Sequence, residues 1–270
     1  MLIETLRANL LEKGITFTGT LSTPYKVVVP LSGGKDSQAC LQLALNEYKE
    51  DEILCLFCDT RYEHPITYQH VLDVTEGYGV DLITLNAGSV LSVCLKYKRF
   101  PGGGARHCTD ELKIRPSKFF YKELAKLQGQ GFQIWCGIRS EESREREARY
   151  RGKTSDDLYF GHEFMPRKYP KYLAKLGVLF RLPVLDWCTS EIFELLDGTE
   201  NPLYGEGFTR VGCFPCLAGG EEHQMRAFHF DEVGRKHFRI AEEIGESANR
   251  KVLKTKRYAG KGPGCAICSI

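Results

Sequence analysis

Three groups of residues in the 270-residue chain have types and spacings suited to chemistry. The first is Ser32-Gly33-Gly34-Lys35-Asp36-Ser37, directly after the apolar run at residues 26–31 (KVVVPL). Paired glycines let a backbone approach a ligand closely and take φ > 0. A helix beginning just beyond them offers free N–H groups and a positive dipole end, which together bind phosphate. Ser32 and Ser37 add hydroxyl donors, and Lys35 adds a positive charge. The spacing is not that of a G-x-x-x-x-G-K-[ST] loop. The second group is the cysteines. Eleven of them, an odd number with no secretory signal, argue for metal, redox or catalytic thiols over a disulfide framework. Cys213-x-x-Cys216 and Cys265-x-x-Cys268 lie in Gly-flanked, loop-like segments. Cys55 and Cys58 share that spacing on an apolar strand, where they point to opposite faces and read as core. Cys40 and Cys94, on helical stretches, read the same way. The third group is Arg139, Glu142 and Arg144. The two arginines are suited to a bidentate grip on phosphate or sulfate oxygens, with Glu142 holding one in place. Arg146 and Arg149 read as solvated surface.

The elements that must position these groups alternate. Strands are expected at 26–31, 53–58, 82–85, 133–138 and 180–184, and helices at 37–48, 65–78 and 117–127. Continuous apolar strands alternating with helices predict an α/β fold: a doubly wound parallel sheet covered on both faces. Residues 99–106, with three consecutive glycines, read as a loop. From residue 198 the pattern turns irregular and rich in Gly and Cys. The expected division is therefore 1–197 as the α/β domain and 198–270 as a cysteine-bearing extension.

Composition sets limits. Hydrophobic residues at 42% and charged residues at 27% allow a packed core and exclude wholesale disorder. A net charge of +2 is too small to indicate nucleic-acid binding by itself. The short basic runs at 96–99 and 254–257 read as solvated surface. No apolar run is long enough for a transmembrane helix. The N-terminal MLIETLRANLLEKG reads as an amphipathic helix, not a signal peptide, and the expected setting is cytoplasmic.

SGGKDS after a buried strand resembles the pyrophosphate loop of the PP-loop ATP pyrophosphatases (adenine nucleotide α-hydrolase-like proteins). Three further segments resemble the phosphoadenylylsulfate reductase-like branch. These are Cys108-x3-Leu112-Lys113, the stretch from Trp135 through Gly137, Arg139 and Glu142 to Arg144, and Pro183-x-x-Asp186-Trp187. The resemblance implies ATP with Mg²⁺ as ligand, bound by Ser32, Gly33, Gly34, Lys35, Asp36, Ser37, Asp59, Arg139 and Arg144. It gives Lys35, Asp36 and Arg139 the catalytic work. Asp59 would contact ribose or Mg²⁺; its bland alternative is a helix N-cap. Iron–sulfur members of the branch hold a [4Fe–4S] cluster, and Cys108, Cys213 and Cys216 match their ligand positions. The chain departs from the adenylylsulfate reductases in having His107-Cys108 where they have adjacent cysteines. A fourth ligand then comes from Cys265 or Cys268, with Cys265 assigned and Cys268 left as a sulfur-carrying thiol. A Cys₄ zinc site made from the two Cys-x-x-Cys pairs is the competing reading.

The expected function is ATP-dependent sulfur transfer, in which adenylation makes a substrate oxygen a leaving group. The chain is similar to the sulfurtransferases of bacterial DNA phosphorothioation. That implies a sulfur donor such as a cysteine desulfurase, DNA presented by partner proteins, no membrane, and room for an oligomer. The runner-up is reduction of adenylylsulfate or phosphoadenylylsulfate to sulfite. Those enzymes carry a Glu-Cys-Gly-Leu-His-type tail, whereas this sequence ends Gly-Cys-Ala-Ile-Cys-Ser-Ile. A nucleotide-binding, metal-stabilised subunit without activity is the third reading.

Overall fold

A computed structural model of the chain describes residues 2–22, 24–102, 106–165 and 168–252. Seven strands form one sheet in the order β1-β4-β3-β2-β5-β7-β6. They are β1 Thr16–Thr18, β2 Val27–Pro30, β3 Ile53–Asp59, β4 Asp81–Asn86, β5 Gln133–Trp135, β6 Tyr159–Phe160 and β7 Leu179–Arg181. The five central strands are parallel, as an α/β fold requires. The edge strands β1 and β6 run antiparallel to their neighbours, and the sequence reading contains neither.

Strand alternation builds two apolar layers. Val28, Leu54, Leu56, Cys58 and Ile134 face one side, against Leu6 and Leu10 of the N-terminal helix Leu2–Leu11 and Phe120 and Leu124 of the helix Arg115–Gln128. Val27, Val29, Ile53, Cys55 and Trp135 face the other, against Cys40 and Leu41 of the helix Lys35–Glu47 and Ile192 of the helix Thr189–Leu196. Cys55 and Cys58 thus occupy opposite layers, as expected for core residues.

The stretch after residue 197 is more ordered than its composition suggests. The helices Glu221–Phe230 and Glu232–Ser247 follow each other, with the Asp231 side chain capping the second by accepting from the Gly234 N–H at 2.8 Å. Phe228, Ala241 and Ile244 join Tyr62, Val90 and Leu112 in a third apolar cluster. The expectation of an irregular segment is corrected for these residues: glycines and cysteines mark the turns, and the helical faces between them bury apolar side chains. No described helix is long and apolar enough to cross a membrane.

Candidate functional site

The helix Lys35–Glu47 begins at the end of the glycine pair, with Gly34 as its N-cap residue. Gly33 has φ +75°, and a Cβ there would stand 2.5 Å from Thr67 Cγ2, so only glycine fits. The turn is tied from within: the Ser32 N–H donates to Ser37 Oγ at 3.0 Å, and the Ser37 hydroxyl donates to the Gly34 carbonyl at 2.8 Å. From outside, the Asn201 amide donates to the Gly33 carbonyl at 3.1 Å, and the Lys35 N–H donates to the Tyr204 hydroxyl at 3.0 Å. The result is a polar recess lined by Ser32, Gly34, Lys35, Asp36, Ser37, Glu142, Tyr204 and the segment Thr209, Arg210 and Val211.

Its lining sets two cations, Lys35 and Arg210, beside two carboxylates, Asp36 and Glu142. Lys35 is buried; burial lowers its pKa, the adjacent Asp36 opposes this, and Arg139 and Arg210 reinforce it. Arg139 is also buried, but its guanidinium is committed to carboxylates: Nε donates to Asp36 at 2.7 Å and Nη1 to Glu141 at 2.7 Å. It therefore fixes Asp36 and is not among the residues lining the recess. The two later arginines exchange the places expected of them. Arg144 is exposed, whereas Arg146 is fully buried and paired with Glu142. Burial, together with Arg210 and Arg139, pushes Arg146 down to about 9. The expectation that Arg146 is solvated surface is corrected. The helix Arg144–Tyr150 turns Arg146 and Tyr150, four residues apart, inward and leaves Arg144 and Arg149 outside.

A second recess adjoins the first. It is lined by Cys108, Cys213 and Cys216 together with Thr60, Lys113, Arg210 and Val211. Cys108 precedes a wide π-type turn, Asp110–Ile114, that carries Lys113 inward. Burial opposes the charge of Lys113, but Cys213, Glu63, Cys58 and Cys108 outweigh it and raise its pKa. The Thr60 hydroxyl, which donates to Glu63 at 2.6 Å, lies 3.4 Å from Cys213 Sγ. Burial raises Cys213 and Cys108. At Cys216 burial also acts upward, yet Arg210, the Ala218 backbone, Arg106 and Lys113 prevail and lower it, favouring thiolate. Cys94, taken as core, is indeed buried, within electrostatic reach of Cys108.

An all-sulfur donor set beside cations suits a negatively charged thiolate–metal group. Among the described residues, no three His, Cys, Asp or Glu side chains are gathered closely enough to hold a single ion. A cluster, whose thiolates bind different metal atoms, needs wider spacing. The buried Tyr62 hydroxyl, in the cluster against which Cys108 and Cys213 pack, has no hydrogen-bond partner among the described residues, which also fits an additional group there.

Arg210 and Val211 line both recesses and form their common wall. Asp59 stands at the end of β3, outside both linings. Its Oδ1 accepts from Tyr68 and from the Arg61 N–H, each at 2.7 Å, and its Oδ2 accepts from Asn86 at 3.2 Å. His64, not Asp59, caps the following helix Pro65–Tyr78. Cys265 and Cys268 lie outside the described residues. Sequence reasoning missed Arg146, Asn201, Tyr204 and Arg210. The spacing Glu142-x3-Arg146 carried a usable signal for the first; the other three are brought in only by tertiary folding.

Residues 26–218 match the phosphoadenosine phosphosulfate reductase domain, and the chain belongs to that family. It is 29% identical over 228 residues to an uncharacterized protein of Methanocaldococcus jannaschii, covering 83% of this chain and 43% of that protein. This chain thus spans less than half the length of that relative. It is 24% identical over 197 residues to a phosphoadenosine 5'-phosphosulfate reductase of Yersinia enterocolitica, covering 70% and 69% of the two chains. Among solved structures, it is similar to a phosphoadenylyl-sulfate reductase of Candida auris in a phosphate complex (TM-score 0.45, 16% identity, 78% and 94% coverage). It is also similar to a U34-tRNA thiolase of Methanococcus maripaludis with its [4Fe–4S] cluster (TM-score 0.41, 17% identity, 100% and 88% coverage).

Proposed function

We propose that the chain is an ATP-dependent, adenylating sulfurtransferase, with a phosphate oxygen of DNA as acceptor. The observation that carries the reading is the shared wall: a polar recess at a glycine loop, lined by Lys35, and a three-thiol recess meet at Arg210 and Val211. Lys35, Arg146, Arg210, the loop N–H groups and the hydroxyls of Ser32 and Ser37 would bind the ATP phosphates, with Arg139 holding Asp36 beside them. Asp59 is proposed to meet ribose or Mg²⁺. In this reading residues 1–197 supply the glycine loop and Cys108, and 198–270 add Tyr204, Arg210 and the remaining cysteines.

The chemistry balances in two displacements. The acceptor oxygen attacks the α-phosphorus of ATP, the α–β phosphoanhydride bond breaks, and pyrophosphate leaves against Lys35 and Arg210. The terminal sulfur of a persulfide, supplied by a donor such as a cysteine desulfurase, then attacks the acceptor phosphorus, and AMP departs with the former acceptor oxygen. A thiolate, for which Cys268 is proposed, cleaves the remaining S–S bond. This leaves the phosphorothioate and a disulfide for an external thiol to reduce. Cys108, Cys213 and Cys216, with Cys265 proposed as fourth, would hold a [4Fe–4S] cluster, which when bound supplies a thiophilic, electron-transferring centre. Zinc on the same thiols is the alternative.

The likeness to the Yersinia reductase favours one second reading, reduction of a sulfonucleotide to sulfite. Two reactions of anaerobically purified protein separate them. One supplies ATP, a persulfide donor and DNA, with candidate partner proteins, and seeks pyrophosphate and phosphorothioate dinucleotides by mass spectrometry. The other supplies phosphoadenylylsulfate or adenylylsulfate with a dithiol reductant and measures sulfite. Sulfite formed without ATP replaces the proposal with the reductase reading.

A further inference from the structure

Tyr62 is fixed on three sides. Its carbonyl accepts from the Phe214 N–H at 2.7 Å. Its ring stacks on His237 at 4.2 Å, and the His237 Nδ1–H donates in turn to the Phe214 carbonyl at 2.5 Å. Apolar neighbours Val90, Leu112 and Leu217 share its cluster. The side chain is fully buried, yet its hydroxyl has no hydrogen-bond partner among the described residues. A buried donor without an acceptor is costly, and native interiors rarely keep one. Cys94 is buried in the same cluster, and Cys108 and Cys213 pack against it. An O–H donor in a cluster bordered by cysteines is matched by a sulfur acceptor.

We propose that the Tyr62 hydroxyl donates a hydrogen bond to a sulfur of the cluster held by Cys108, Cys213 and Cys216, and thereby raises its reduction potential. This rests on the cluster reading above. Hydrogen bonds to cluster sulfurs stabilise the more negative, reduced state, which moves the potential upward. Tyr62 is thus a tuning residue; the thiolates alone carry the metal.

The test compares wild-type protein and Tyr62→Phe, both reconstituted anaerobically with iron and sulfide. Phenylalanine keeps the ring and its stack on His237, and removes only the hydroxyl. Expected are equal iron and acid-labile sulfide contents and a more negative potential for Tyr62→Phe. In D₂O-exchanged reduced wild type, electron–nuclear double resonance should show a deuteron coupled to the cluster, and Tyr62→Phe should lack it. Equal potentials with the deuteron signal retained in two equally loaded proteins overturn the inference alone. Wild-type protein that takes up no iron removes the cluster reading, and this inference with it.

Discussion

The carboxylate of Asp36 and the Nε of Arg139 meet at 2.7 Å in the interior, joining the first turn after the glycine pair to the segment leaving β5. Lys35 Nζ reaches the same carboxylate at 3.2 Å, so one acid holds two cations in place. Arg139→Met would leave Asp36 with half its compensation. Breaking a buried pair from one side costs about 3–5 kcal/mol, which urea unfolding would read. Asp36→Asn combined with Arg139→Met should cost less than the sum of the two single changes, because the pair is in contact.

The two neighbouring arginines should behave oppositely. Arg146→Met removes the buried cation paired with Glu142, which lines the recess, and loss of one charge-assisted contact, about 1.5–3 kcal/mol, should weaken ATP binding by roughly 10- to 100-fold. Arg144→Met changes an exposed side chain and should stay within about 0.5 kcal/mol in stability, with ATP affinity unchanged. Isothermal titration with ATP distinguishes them, and equal losses would return Arg144 to the site.

Gly137 lies against the first turn of the helix Lys35–Glu47. A Cβ there would lie 2.7 Å from the Asp36 carbonyl group and the Ser37 nitrogen. Gly137→Ala should displace the helix start at a cost of about 1–3 kcal/mol and reduce ATP affinity with it. Gly77→Ala, with nothing within 4 Å, is the control: inside the helix Pro65–Tyr78 it should stabilise by up to about 1 kcal/mol. Thermal unfolding with and without ATP checks both.

His70 supplies a pH dependence. Its Nε2–H donates to Gln38 Oε1 at 3.0 Å, and burial lowers its pKa, an effect that Asp73 and Glu200 oppose. The folded protein therefore binds a proton less readily than the unfolded chain. Stability from this group is complete above about pH 6.5 and falls as acidification protonates the unfolded state first. Stability measured from pH 8 to 5 should decline less in His70→Gln than in the wild type, and parallel curves would exclude His70 as the cause.

The glycine loop was legible because its function depends on local backbone geometry: Gly33 needs a positive φ, and the next residues must start a helix. The five parallel strands were legible because burial on both faces leaves continuous apolar runs. Arg146 was hidden because Arg144–Tyr150 reads as mixed charge, and only its orientation against Glu142 and Tyr150 decides which arginine goes inward. Tyr204 and Arg210 sit in loop sequence, and nothing in their spacing shows that the chain returns to cover Lys35. The helix Glu232–Ser247 did carry a start signal in Asp231, masked by the surrounding Gly-rich composition.

The antiparallel strands at the two margins bear on edge-to-edge association of the sheet. β1 has three residues and β6 only two, so each outer rim exposes a very short row of free peptide groups. A neighbouring molecule finds little ladder to extend, and edge-to-edge polymerisation through the native sheet is disfavoured. The fully buried, apolar β2 and the seven-residue β3, which would template such growth, are shielded in the middle of the sheet.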